Sequence, residues 1–524
     1  MVDAPPSTSQ DIPPPTGSLP SSVAASHLAL SVDTTQNRHA VSPFIFGVNQ
    51  ARDGVASTLV RAGGNRYTAY NWENNASNAG IDYNNMSDAY LGGGSTPGEA
   101  VATRVRSAHE RGASALITVP MLDFVAADKS GAISQVATAG ASHWKKNRST
   151  KPGALAAIPD TQDDSVYQDE FVAWAESNFA SARASGKQLF YNLDNEPGLW
   201  PSSHPLVHPS APTYAEMKMR SVEFATMIKT RAPNALVFGA VAYGFNEYEN
   251  LQEAADAAGR NYLAFYLSEI KAASDAAGKR LVDVLDLHWY PEVRVNGTKI
   301  IDNYAATPSD AMVDARLQAP RSLWDPTYKE ASWIANYYNA PIKLLSRLTE
   351  TIAANNPGTL LSFSEYNYGG GNHISGGLSE VDVLGVFARE SVFAANYWEL
   401  QLDNDANNAF VYAAINFYRN YDGKNSQVGE LSVQALSGDN AKVSAFAFAT
   451  AASKRVWIVA VNKTRSAVAL DVSVAHDTVM SKAQLITLTS AAAQPVVQGS
   501  YSTGGNSFTF DAPPLSATLI ALAP

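Results

Sequence analysis

The sequence predicts an α/β protein, a (β/α)8 TIM barrel joined to an all-β sandwich domain. Eight short apolar runs recur between about residues 43 and 420, with helix-like stretches between them. Most of these runs end in polar or aromatic residues. After about Gln427 the texture changes to closely spaced β-rich runs separated by Gly, Asn, Ser and Asp. Strands buried on both faces read as continuous apolar runs, and alternation with helices implies a parallel sheet. Eight such units close into a barrel.

Taken in order, residues 1–26 are Pro/Ser-rich and predict a disordered linker. They lack a basic n-region and an apolar h-region, so they read as what remains once a signal peptide or neighbouring module is removed. In residues 27–42, Leu28, Leu30 and Val32 alternate at period two, predicting a strand that joins the sandwich. The barrel is expected over 43–426. Its strands are read at Ile45–Asn49, Leu59–Gly63, Ala115–Val119, Leu189–Asp194, Leu236–Ala242, Val284–Trp289, Leu360–Ser364 and Ala394–Glu399. Asp169–Ala184 presents Phe171, Trp174, Ala175 and Phe179 on one helical face. Tyr214–Arg231 and Val381–Phe393 read as further helices. Residues 427–524, with VSAFAFAT, RVWIVAVN, VALDVSVAH and AQLITLT, predict the sandwich.

Composition narrows the function. The net charge is −11 with 38 Lys+Arg and no basic stripe, so no nucleic-acid partner is expected. No cysteine is present, which excludes disulfides and thiolate chemistry. No run of 18 apolar residues exists, so no membrane span is expected. A monomer secreted by a bacterium is the expected state.

Reactive side chains of such barrels sit at the C-terminal ends of strands. Two carboxylates stand there: Glu196 in YNLDNEP after the fourth run and Glu365 in SFSEYN after the seventh. A lone Glu is ordinarily a salt-bridge or solvated loop residue. Two carboxyl groups facing one gap are what glycoside hydrolysis requires, one protonated to donate and one ionised to attack. Asn195 is placed to bond a sugar 2-OH, and His288 and Tyr290 can orient a carboxylate or hydroxyl. Tyr243, Tyr366 and Trp398 offer flat apolar faces, with Trp72, Trp324 and Trp333 as further platforms and Asn65 as a polar contact. For any single Trp, plain core packing is an equal alternative.

The segments GGNRYTAYNWENNASNAGID (63–82), YNLDNEPGLW (191–200), DVLDLHWYPE (283–292), APRSLWDPTY (319–328) and SEYNYGGGNHISGG (364–377) resemble glycoside hydrolase family 44. The resemblance runs from about residue 28 to the C-terminus. It implies a barrel with a β-sandwich and a retaining mechanism, with the acid/base on Glu196 and the nucleophile on Glu365. It also implies endoglucanase or xyloglucanase activity. Ala62 and Tyr83 depart from aromatic residues common in the family, which bears on substrate preference.

Other signals are weaker. His204 and His208 are each followed by proline, which favours a loop over a zinc-binding helix. Asp160, Asp163 and Asp164 offer ligands to a structural calcium ion, though a solvated acidic turn is preferred. No cofactor is required and no catalytic metal is expected. The expected function is retaining endo-β-1,4-glucanase activity on cellulose-type polysaccharide or xyloglucan. A preference for xylan or mannan is the alternative within the mechanism, and a non-catalytic polysaccharide-binding protein is the rival from another class.

Overall fold

The computed structural model describes residues 11–400, 405–452 and 454–524. Strand β1 (His27–Asp33) precedes eight strands that close into a parallel barrel. These are β2 (Phe44–Val48), β3 (Leu59–Ala62), β4 (Ser114–Val119), β5 (Leu189–Leu193), β6 (Val237–Ala242), β7 (Val284–Trp289), β8 (Leu360–Tyr366) and β9 (Ala394–Tyr397). They pair in sequence order, with β9 closing on β2, so all eight expected runs are barrel strands.

The helices used below are α1 (Glu99–Glu110), α2 (Gln168–Asn178), α3 (Tyr214–Arg231), α4 (Phe245–Asn250), α5 (Tyr262–Ala277), α6 (Trp333–Tyr338), α7 (Leu344–Asn355), α8 (Ile374–Arg389) and α9 (Ala409–Arg419). One connection departs from strict alternation: residues 49–58, between β2 and β3, contain no helix. The outer face of β2 is covered by α9 instead. Asn416 accepts from the N–H of Ala56 and donates to the carbonyl of Gly54, and Tyr418 packs on Phe46. The expected helix at 381–393 begins earlier, at Ile374. The His373 ring accepts the N–H of Ser375 at its start, and Gly376 and Gly377 let the helix approach the backbone of Gly370 and Phe410, where a Cβ would lie 2.1 and 2.8 Å from carbonyl oxygens.

Inside the barrel the strands are layered. At the N-terminal end Phe44, Phe190, Phe238 and Phe393 pack ring to ring, with Leu59, Leu116 and Val284 beside them. Above them side chains turn polar: Thr118 donates to Asn192, Asn396 donates to the Val48 carbonyl, and Asp286 accepts the Ser364 N–H. These bonds make the layer a hydrogen-bonded platform under the barrel mouth.

The C-terminal strands are β10 (Leu431–Ser437), β11 (Val443–Ala449), β12 (Val456–Asn462), β13 (Val468–Ala475), β14 (Lys482–Thr489), β15 (Ala492–Ser502), β16 (Ser507–Ala512) and β17 (Ser516–Ala523). They form one ladder, β15-β14-β17-β12-β11-β10-β1-β13-β16, which curls so that β1, β11, β12, β13 and β16 contribute to one apolar core. β1 lies between β10 and β13, as its alternating pattern requires. The linker is a partial correction. Its first ten residues lie outside those described, but Thr16 and Leu19 donate backbone N–H groups to Ser500 and Ser502, and Asp511 takes the N–H of Val23. A Pro-rich segment is already extended, so its free N–H groups can pair with the edge strand β15.

The sandwich is pinned to the barrel through α8. Lys463 bonds Asp382 at 2.6 Å with side-chain exposures of 1% and 3%. Ser444 of β11 donates to the same carboxylate at 2.9 Å.

Candidate active site

The turn after β5 is folded against its conformational preference. Asp194 and Glu196 both adopt left-handed backbone angles, φ 63° and 48°, which cost non-glycine residues about a kcal/mol or more. The turn is held because the Asp194 carboxylate accepts from Thr68 Oγ1 at 2.6 Å and from the N–H of Asn195 at 2.8 Å, with Met121 N–H as a third donor. Burial nevertheless pushes Asp194 up to about 6. The Glu196 N–H bonds the Val241 carbonyl at 3.0 Å, and Pro197 then opens a short 3-10 turn. The Glu196 side chain therefore stands over the barrel mouth.

Glu365 arrives by a different device. Along the β7–β8 ladder Leu287 faces Phe363, but His288 faces Glu365, so Ser364 is skipped. A bulge of this kind re-aims the next side chain. Tyr366 consequently points outward, with its hydroxyl on Glu380 at 2.6 Å.

His288 joins the two carboxylates. Its Nδ1 lies 2.7 Å from Glu196 and 3.5 Å from Glu365. One ligand atom from each of the three residues lies within 4.8 Å of the others. Arg61 Nη1 donates to Glu365 Oε1 at 2.6 Å and Tyr290 donates to Oε2 at 2.8 Å. Donors on both oxygens fix the orientation of the carboxylate. The second Arg61 nitrogen donates to Asn195 Oδ1 at 2.7 Å. A guanidinium has only donors, so the Asn195 oxygen must face it and the amide NH2 is turned the other way.

The two acids differ in surroundings. Burial pushes Glu196 up to about 7, with Arg61 opposing and Asp82 adding to the shift. Its side chain keeps 22% of its surface open, against 7% for Glu365. His288 is pushed down to about 4, first by burial and also by Arg61, with Glu365 and Asp286 opposing. Its imidazole is therefore neutral at ordinary pH.

Two depressions flank the carboxylates. One, about 560 Å³, is lined by Asn49, Gly64, Asn65, Asp82, Trp398 and Glu399. The other, about 400 Å³, is lined by Tyr243, Phe245, Trp289, Tyr290 and Trp333. Glu365 connects to the first through Arg61 and Asn49, and to the second through Tyr290. Asn65 donates to Asp82 in the wall of the first at 2.7 Å. The Trp398 ring lies over Gly64, where a Cβ would sit 2.7 Å from it.

Of the expected site residues, Glu196, Glu365, Asn195, His288 and Tyr290 come together. Asn65, Trp398, Tyr243 and Trp333 line the flanking depressions. Three do not reach the site. Trp72 is 1% exposed, packed against Phe171 and Trp174. Tyr366 is fully buried behind its strand. Trp324 stacks under Arg389 at 4.1 Å, at the end of α8 that leads into β9, the opposite end of the barrel. In each case the ring fills a core or interlayer gap, the ordinary fate of a large apolar side chain. Arg61 was missed, although a charged residue inside the apolar run LVRAGG demands a buried partner. The acidic turn does not gather ligands. Asp160 caps the N–H of Gln162, Asp163 accepts the N–H of Ser165 and faces Lys145, and Asp164 pairs with Lys146. Among the described residues, the one convergent cluster of His, Asp or Glu is Glu196, His288 and Glu365. His204 and His208 face Ser203 and Glu216 separately.

The sequence profile of glycoside hydrolase family 44 matches residues 76–293. An endoglucanase A of Paenibacillus lautus is 35% identical over 523 residues, covering 96% of this chain and 74% of that protein. A family 44 xyloglucanase of Paenibacillus polymyxa, solved with xyloglucan, superposes with TM-score 0.91 at 38% identity, covering 95% of this chain and 100% of that one. A family 44 endoglucanase of Clostridium thermocellum does so with TM-score 0.89 at 37% identity, covering 95% and 100%.

Proposed function

The chain belongs to glycoside hydrolase family 44 and is a glycoside hydrolase; on that premise we propose that it is a retaining endo-β-1,4-glucanase acting on cellulose-type polysaccharide and xyloglucan, with Glu196 as acid/base and Glu365 as nucleophile. The observation that carries this reading is the convergence of the Glu196 and Glu365 oxygens within 4.8 Å. Carboxyl groups about 5–5.5 Å apart let the second attack carbon, whereas inverting enzymes need about 6.5–9.5 Å for an intervening water.

In the first step the Glu365 carboxylate attacks the anomeric carbon while Glu196 gives its proton to the departing glycosidic oxygen. In the second, ionised Glu196 takes a proton from water, which attacks the anomeric carbon and releases Glu365. Arg61 and Tyr290 hold one Glu365 oxygen each, so the nucleophile keeps its aim through both steps. Neutral His288 pairs through Nδ1 with one Glu196 oxygen, leaving the other to face the departing oxygen. The Asn195 NH2 meets the sugar 2-OH, a contact that tightens in the transition state. The mechanism draws on no cofactor. Depressions on both sides of the carboxylates suit a chain cut internally, with Trp398 and Trp333 as platforms. A polymer substrate cannot enter a cell, which favours an extracellular site of action. Among the described residues no helix is long and apolar enough to cross a membrane.

The test is initial-rate hydrolysis of carboxymethylcellulose, xyloglucan, glucomannan and xylan side by side, with viscosity followed against reducing ends. Rapid viscosity loss on the glucans is expected. A larger rate on xylan or mannan would move the preference, and inactivity on all four would leave only the binding-protein reading.

A further inference from the structure

Glu247 is a buried acid that the two-step scheme does not use. It sits on α4 at 0% exposure. The groups acting on its charge are two backbone N–H donors and the like charge of Glu196, with no cation among them. Such a residue is expensive to bury, and burial pushes it up to about 8. A carboxyl group maintained at that cost in the wall of a reactive site calls for a local reason.

Its two oxygens have separate tasks. Oε1 accepts the N–H of Gly198 at 3.1 Å, and Oε2 accepts the N–H of Tyr243 at 2.8 Å. Gly198 lies two residues after Glu196, in the same turn. Tyr243 is the first residue beyond β6 and lines the second depression. The approach is close: a Cβ on Gly198 would lie 2.9 Å from the Glu247 carboxyl carbon. The turn carrying Glu196 is thus fastened to the end of β6 at two points, directly through Val241 and through the Glu247 clasp. Two N–H donors need two acceptor oxygens. A carboxyl group supplies them, whereas the amide of Gln must set its NH2 against one N–H whichever way it is flipped.

We infer that Glu247 is a positioning residue for acid catalysis: it clasps the turn carrying Glu196 to the end of β6 and sets the angle at which the Glu196 carboxyl meets the leaving oxygen. This rests on Glu196 being the acid/base. A small misplacement of a proton donor costs rate in proportion to how much the leaving group needs protonation.

The experiment compares aryl β-cello-oligosaccharides bearing a good leaving group (2,4-dinitrophenol) and a poor one (phenol) on Glu247→Gln, Glu196→Ala and the parent enzyme. For Glu247→Gln, kcat/KM on the phenyl glycoside should fall about 10- to 100-fold, and on the dinitrophenyl glycoside less than about 3-fold. KM for polymer should hold. Gly198→Ala, which presses on the clasp from the other side, should show the same split and stands in if Glu247→Gln does not fold. Equal losses on both glycosides, or a loss confined to KM, would overturn the inference. If Glu196→Ala itself shows equal losses, the acid/base assignment fails. If Glu196→Ala shows the split and neither clasp variant does, only the role of Glu247 fails.

Discussion

Arg61 and Glu365 meet at 2.6 Å, guanidinium Nη1 to carboxylate Oε1, with side-chain exposures of 0% and 7%. The same guanidinium holds Asn195, so one side chain fixes both a Glu365 oxygen and the amide beside Glu196. Arg61→Lys keeps the charge but loses the two-pronged geometry. It should lower kcat about 100-fold with a smaller change in KM. Steady-state kinetics on a soluble glucan checks this, and a variant within threefold of the parent would remove Arg61 from the alignment scheme.

The closeness of Glu196 and Glu365 makes a stereochemical prediction. Proton NMR of early hydrolysis products should show the β-anomer first, with the α-anomer rising only by mutarotation. Initial α-product would mean a water lies between the acids. Glu365→Gln and Glu196→Gln should each lower turnover on polymer by orders of magnitude while leaving binding largely intact.

Burial holds Glu196 up at about 7, and the scheme needs it protonated, so activity should fall as pH rises through that value. Stability carries the same sign. Between its ordinary value of 4.5 and about 7 the native protein keeps a proton that the unfolded chain releases. Rising pH therefore costs stability across that window, about 1–3 kcal/mol in all. Glu196→Gln escapes the loss. It should melt above the parent at pH 8 and close to it at pH 4.5; equal melting temperatures at both would contradict the raised value.

The Lys463–Asp382 pair at the barrel–sandwich junction gives a stability test away from the site. Lys463→Met strands a buried carboxylate that Ser444 alone cannot compensate, at about 3–5 kcal/mol. Adding Asp382→Asn should recover part of it. Urea denaturation of both single variants and the double variant would show this, and additive losses would mean the pair is not coupled.

The aromatic residues separate by location. Trp398→Ala should raise KM for polymer about 5- to 30-fold, the equivalent of about 1–2 kcal/mol. Trp324→Phe, at the far end of the barrel, should leave KM unchanged. A KM shift with Trp324→Phe would contradict its position under Arg389.

The barrel and the sandwich were legible in the sequence because each rests on local pattern. Apolar runs report strands buried on both faces, and the sequence places Glu196 and Glu365 near the ends of two such runs without fixing where either side chain points. Tertiary structure alone decided what depends on register and packing. The skipped Ser364, which sets Glu365 opposite His288, is a one-residue slip between strands 75 residues or so apart in the chain, and no periodicity encodes it. The same holds for the rings. Trp72, Trp324, Trp333 and Trp398 are alike as letters, but only the closed barrel determines which face a cleft and which fill the gaps between its layers, because that depends on neighbours far along the chain. Glu247 is the sharpest case: its role lies in two peptide N–H groups, and backbone donors are the same at every residue except proline until the fold aims them.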